Sequence, residues 1–250
     1  MHPPELKAEA LRLVELGFND CEISRRIGIP RRTIMDWRRP SYTPKTPIQT
    51  CPRCGEAMKQ MRFSVDDYSE LFGMYLGDGC ISELARTHRL RISLDAKYPR
   101  IISDCRGLLE RMFPLNKVDD VAFKGGRYVS VYNRHLPCLF PQHGSGKKHL
   151  RPIVPELWQW AVIAAAPWPF IRGCIRTDGC NFINRTGSYE YLAYHFTNMS
   201  DDIARTLAFA LDHVGIEYRH TKGCKRRINN IRINRRASVA LMVEHIGLKA

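Results

Sequence analysis

The sequence predicts an α+β main domain made of two copies of one αββαββα-like unit, behind a small all-helical domain. Three observations predict it. A ten-residue segment recurs 100 positions apart, the same order of elements follows each copy, and the first forty residues are patterned as three short helices. The two segments are LFGMYLGDGC (71–80) and IRGCIRTDGC (171–180), both reading G-x-x-x-(small)-D-G-C. Each is followed by β-type stretches at 89–94 and 189–197, and then by amphipathic helices at 101–113 and 203–214. A further β-type stretch comes next, at 128–132 and 230–234. The repeats span about 66–140 and 168–248 of a main domain at 66–250, joined by a Pro- and His-rich bridge at 141–167.

In the N-terminal domain, 1–40, Ala8, Leu11 and Val14 give the first helix its apolar face, and Gly17 stops it. Asn19 or Asp20 can cap a second helix that turns Ile23 and Ile27 inward. Gly28-Ile29-Pro30 makes a turn, and a third helix at 31–39 buries Ile34 and Trp37. Arg31, Arg32, Thr33, Asp36 and Arg38 are left for its outer face. The pattern resembles a helix-turn-helix of the resolvase and transposase type, whose last helix enters the major groove of DNA.

The composition agrees with that partner. Thirty-nine Lys and Arg against 25 Asp and Glu give a net charge of +14, which favours nucleic acid or an anionic surface. No apolar run approaches the roughly 20 residues of a membrane span, and nine irregularly spaced cysteines do not form a secreted disulfide framework. A cytosolic, nucleoid-associated protein with thiols or thiolate–metal bonds is expected. Residues 41–65 are a linker, rich in proline at first and then carrying Cys51-Pro-Arg-Cys54.

The repeated aspartates carry the chemistry. Gly73 and Gly77, like Gly173 and Thr177, are four apart, so each pair lies on one helix face and permits close helix approach. Gly79 and Gly179 are expected to end the helices in the left-handed conformation. Asp78 and Asp178 then stand at helix C-termini, where partial negative charge disfavours a carboxylate. Bringing two together adds repulsion, and a divalent cation such as Mg²⁺ relieves both. Carbonyls such as those of Gly77 and Thr177 would complete its oxygen ligands.

On these motifs the chain resembles the LAGLIDADG homing endonucleases, with LFGMYLGDG at 71–79 and IRGCIRTDG at 171–179. The resemblance implies two four-stranded antiparallel sheets forming a saddle over double-stranded DNA, and motif helices packed on a pseudo-twofold axis. It also implies metal-dependent cleavage, with Asp78 and Asp178 as the metal-binding acids. Two motifs in one chain imply a monomer acting on an asymmetric site. Leu76 and Arg176 depart from the motif, Arg176 being expected to face DNA or to pair locally. Lys124 and Lys222, at comparable places in the copies, are candidates to assist catalysis. Arg89, Arg91, Arg127, Arg134, Lys225, Arg226, Arg227, Arg232, Arg235 and Arg236 form the expected DNA-contact pool. A non-cleaving regulator and a mobile-element accessory protein remain alternatives.

Cys51 and Cys54 read as half a zinc knuckle. Cys138 and His143, with His149 as substitute, are the expected partners, against a degenerate knuckle with free thiols. Cys80, Cys105, Cys174, Cys180 and Cys224 are read as small core residues. His88, His135, His195 and His220 are assigned to exposed or DNA-facing roles, and His213 and His245 to packing.

Overall fold

A computed structural model of the chain describes residues 4–38, 51, 54, 64–187, 189–223 and 228–249. It divides into two units, Met1–Ile48 and Gln49–Ala250. Lys225, Arg226, Arg227, Cys224 and most of the expected linker lie outside the described residues.

The first unit holds helices α1 (Pro4–Glu15), α2 (Asp20–Ile27) and α3 (Arg31–Arg38). Asn19 caps α2, its side chain accepting from the amides of Cys21 and Glu22, while Glu22 reaches back to the Asn19 amide. Gly28 ends α2 at φ 69°. The core is Ala10, Leu13, Ile23, Ile29 and Ile34, with Trp37 packed against it. The first helix therefore turns only part of the expected stripe inward: Val14 packs against this core, but Ala8 is exposed and Leu11 only half-buried. Arg31 and Arg32 stay exposed, whereas Arg38 pairs with Asp20 at 2.5 Å.

The second unit follows the repeat. Its first half runs α4 (Val65–Asp78), β1 (Gly79–Leu84), β2 (Thr87–Asp95), α5 (Pro99–Met112), β3 (Val118–Phe123), β4 (Gly126–Asn133) and α6 (Leu136–Leu139). After a 3-10 turn at Lys148–Leu150 and α7 (Leu157–Ala165), the second half runs α8 (Pro167–Asp178), β5 (Gly179–Thr186), β6 (Tyr189–Asn198), α9 (Asp201–His213), β7 (Arg219–Lys222), β8 (Asn229–Ile233) and α10 (Arg236–Ile246). The sheets are antiparallel with matching orders, β1-β2-β4-β3 and β5-β6-β8-β7. Alternation puts Leu90, Ile92, Leu94, Val129 and Val131 of the first sheet, and Tyr194, Phe196, Ile231 and Ile233 of the second, in the common core.

The two halves meet where α4 crosses α8. A Cβ on Gly73 would run into the Phe170 carbonyl and stand 3.0 Å from the Cys174 amide. One on Gly173 would meet the Glu70 carbonyl and stand 2.8 Å from the Met74 amide, so the helices touch backbone to backbone. One turn on, Gly77 leaves room for Thr177, whose hydroxyl bonds back to the carbonyls of Gly173 (3.0 Å) and Cys174 (3.1 Å). Gly79 and Gly179 are not left-handed, as their φ values are −82° and −100°. They are required for another reason: each starts a strand folded back over its helix, and a Cβ would lie 2.5 Å from Tyr75 Cα or 2.6 Å from Ile175 Cα.

The polar contacts around the crossing are local. Arg176 pairs with Glu70 (2.6 Å) and Asp104 (2.7 Å), and Arg172 shares Glu70 at 3.2 Å. The helix α7 was hidden in the bridge, where flanking prolines masked a nine-residue apolar helix. Its Gln159 donates to the Tyr68 hydroxyl (2.7 Å), which donates to the Leu139 carbonyl (2.5 Å).

Gly73→Ala is expected to lower the unfolding free energy by ~2 kcal/mol or more, because the added methyl meets backbone that cannot rotate away. Gly107→Ala in α5, where a Cβ meets only the Arg111 guanidinium at 3.6 Å, should instead raise it by ~0.5–1 kcal/mol. Denaturant titration of both variants compares the two, and equal effects would contradict the close crossing.

Candidate active site at the motif helix ends

Asp78 and Asp178 end α4 and α8 and both line one cavity of about 490 Å³, with Tyr75, Lys148, Arg151 and Asn198 among its walls. The Asp178 Cγ lies 3.3 Å from where a Cβ on Gly77 would stand, so its carboxyl group sits against the other motif helix. Both acids are half-buried. Burial raises Asp78, opposed by Lys148 and Lys249. Burial also raises Asp178, to about 6, with the neighbouring Asp78 charge adding to it and the Asn198 amide opposing it.

Two lysines that the sequence reading passed over complete the site. Lys148 Nζ, from the 3-10 turn in the bridge, donates to the carbonyls of Tyr75, Leu76 (3.0 Å) and Gly77 (2.9 Å), the open end of α4. Lys249 Nζ, beyond α10, donates to the carbonyls of Thr177 and Gly179, each at 2.8 Å, at the end of α8. Both place a cation where the helix dipole is negative. Desolvation brings Lys148 down to about 8 despite the two nearby carboxylates, and it lowers Lys249 as well.

The donor set is hard oxygen throughout: two carboxylates and the helix-end carbonyls, including those of Gly77 and Thr177. The site already gathers two ammonium groups, and each carbonyl keeps a second lone pair. These residues fit Mg²⁺ or a similar divalent cation. The halves are not chemically equal. Strand register makes Leu94 the counterpart of Asn198, which donates to Asp178 at 2.5 Å.

Lys124 and Lys222 do not line this cavity. Lys124 sits at the β3–β4 turn with φ 42° and its ammonium over Phe123, and Lys222 pairs with Asp201 at 2.6 Å. Arg89 and Arg91 lie on the open face of the first sheet, Arg89 bonding Ser130 and Arg91 lying over Tyr128. Arg232 lies on the open face of the second sheet, at the place of Ser130 in the first, beside His195 and Arg219. Arg127 is on the opposite face, paired with Asp120 at 2.6 Å. Arg134 and Arg236 are exposed, and Arg235 pairs with Glu217. Cys105 and Cys174 are buried as expected of core residues, but Cys80 and Cys180 are exposed on the open sheet faces.

A second cluster gathers Cys51, Cys54, His135 and Cys138, whose ligand atoms lie within 4.8 Å of one another. The fourth member is thus His135 and not His143, whose Nδ1 is 3.1 Å from the Phe140 carbonyl oxygen. The available signal was spacing: His135 and Cys138 repeat the i, i+3 interval of Cys51 and Cys54.

Residues 2–39 match the homeodomain-like domain family, and residues 168–247 match the LAGLIDADG-like domain family. Among solved structures, mesophilic variants of the homing endonuclease I-DmoI align with TM-score 0.51 and 13% identity, over 73% of this chain and 96% of that one. I-DmoI in complex with DNA and Mn aligns with TM-score 0.50 and 15% identity, over 74% and 98%. The N-terminal LAGLIDADG domain of DUF199/WhiA aligns with TM-score 0.46 and 16% identity, over 74% and 85%. No curated protein matches. The second unit thus has the LAGLIDADG fold, residues 168–247 matching that domain family, and a homeodomain-like domain precedes it.

The raised Asp178 has a stability consequence. Its folded value lies above the unfolded one, so burial costs nothing when both states are protonated, below about pH 4. The cost grows as pH rises and is complete above about 6, where two units correspond to roughly 3 kcal/mol. Asp178→Asn, measured with chelator present, is expected to be more stable than the parent chain at pH 7.5 by about 2 kcal/mol and to lose that advantage at pH 4. A pH-independent difference in thermal unfolding would contradict this burial.

Proposed function

We propose that the protein is a site-specific endonuclease acting on double-stranded DNA, with Asp78 and Asp178 holding divalent cations at the paired helix ends. The observation that carries this reading is the pair of half-buried carboxylates, one per motif helix, opening into a single lysine-flanked cavity. A metal bound there would activate water and stabilise charge developing at phosphorus. Each acid supplies an oxygen ligand from a rigid helix end. Lys148 Nζ stands in this cavity and Lys249 Nζ in a neighbouring pocket that also borders Asp78, and both offset the negative charge of carboxylates, helix ends and incoming phosphate. The open sheet faces support DNA contact, since Arg89, Arg91, Arg219 and Arg232 are interleaved there with Tyr128, Tyr132, Ser130 and Asn230. The exposed Arg31 and Arg32 of α3 support a second contact through the helix-turn-helix. A neighbour of the same fold, I-DmoI, was crystallised with DNA and Mn.

The test is cleavage of a randomised duplex library with Mg²⁺. Nicked or linearised products from a restricted set of sequences are expected, and Asp78→Asn or Asp178→Asn should each reduce the rate by about a thousandfold or more. Lys148→Met should slow cleavage while leaving DNA affinity within about threefold, since it touches the site and not the sheet faces. Tight, selective binding with no metal-dependent product would replace this reading with that of a non-cleaving regulator.

A further inference from the structure

We propose that Cys51, Cys54, His135 and Cys138 form a structural zinc site, separate from the acidic pair. None of the four lines the cavity that holds Asp78 and Asp178. Zinc bonds of ~2.0 Å to nitrogen and ~2.3 Å to sulfur put the donors of a three-sulfur, one-nitrogen tetrahedron about 3.5–3.8 Å apart. Cys54 Sγ and His135 Nδ1 are already 3.7 Å apart, and all four donors fall within 4.8 Å. Small side-chain rotations close the set.

The fold brings these residues together from two segments. Cys51 and Cys54 precede α4, whereas His135 caps α6 and Cys138 lies one turn later, its amide donating to the His135 carbonyl at 2.9 Å. A short network fixes the histidine backbone. The His135 amide donates to Asn133 Oδ1 (2.8 Å), Asn133 to Asn116 Oδ1 (3.2 Å), and Asn116 to the Tyr132 carbonyl (2.7 Å). The network holds the backbone from which the imidazole projects, one turn from Cys138.

Three sulfurs and one imidazole select a borderline-soft, tetrahedral ion over Mg²⁺ or Ca²⁺. With four protein ligands no coordination position remains for substrate. Cys51 is only 2% exposed and packs into the main core. The ion would therefore act on structure. It would tie the segment entering α4 to α6, whose Leu139 carbonyl accepts the Tyr68 hydroxyl of that same helix.

The test uses the full chain carrying Asp78→Asn and Asp178→Asn, so that the acidic pair contributes little to the metal measured. After gel filtration with a weak chelator, one zinc per chain is expected. Cobalt substitution should give a thiolate-to-metal charge-transfer band and the visible bands of a tetrahedral ion. Cys54→Ser and His135→Ala should each weaken zinc binding by more than about a hundredfold. His135→Cys should keep the ion, with a four-thiolate cobalt spectrum, and His143→Ala should change nothing. Absence of stoichiometric metal, a Cys51–Cys54 disulfide in its place, or undiminished affinity in His135→Ala would overturn the site. Loss of metal in His143→Ala would do the same. None of these outcomes bears on cleavage by the acidic pair.

Discussion

Everything in the main unit hangs on the contact between α4 and α8, where Gly73 and Gly173 let two helices meet without side chains between them. Helices ordinarily pack 8–10 Å apart with side chains in the gap. Removing that layer brings the helix ends together, and with them Asp78 and Asp178. The sheets inherit their placement, because Gly79 and Gly179 turn each strand directly off its helix. The surrounding ion pairs of Glu70 with Arg172 and Arg176 cross the same junction and are partly shielded from water. Geometry at the site is thus a property of backbone contact, which cannot relax by rotamer changes.

That contact creates an electrostatic problem. Two carboxylates and two helix C-termini converge in a half-buried place, and each raises the free energy of the others. Lys148 and Lys249 offset part of it by donating to the same carbonyls that end the helices. The compensation is incomplete, since both acids remain above their usual range even with the lysines present. Such residual tension means that stability is given up locally at the paired helix ends.

Much of this was legible in the sequence, for identifiable reasons. The glycines, the acids and the order of elements are local signals, and duplication displayed each of them twice. The lysines were not legible, because they stand 70 and 71 positions beyond their acids in segments without periodicity. A nearly equal offset from the two aspartates was the one clue, and Lys124 and Lys222 stood out instead because each precedes a strand of its copy. Arg127 looked like its neighbours in the basic pool, yet strand parity sends it to the opposite face. The left-handed assignment of Gly79 and Gly179 came from a general habit of helix ends. The true constraint, a strand folded over the preceding turn, depends on tertiary approach that no local pattern encodes. His143 was preferred over His135 for the same reason: the i, i+3 match with Cys138 matters only once α6 is known to be helical.

The duplication also decides how the protein can change. In an assembly of two identical chains, every substitution is made twice, and a residue that suits one side must suit the other. Here Gly77 faces Thr177, Leu94 stands where the second half has Asn198, and one capping lysine comes from a bridge while the other follows α10. Each is an asymmetry that a symmetric dimer could not hold. A single mutation alters one half and leaves the other as an unaltered reference, so the two faces can drift apart stepwise while the glycine crossing stays fixed.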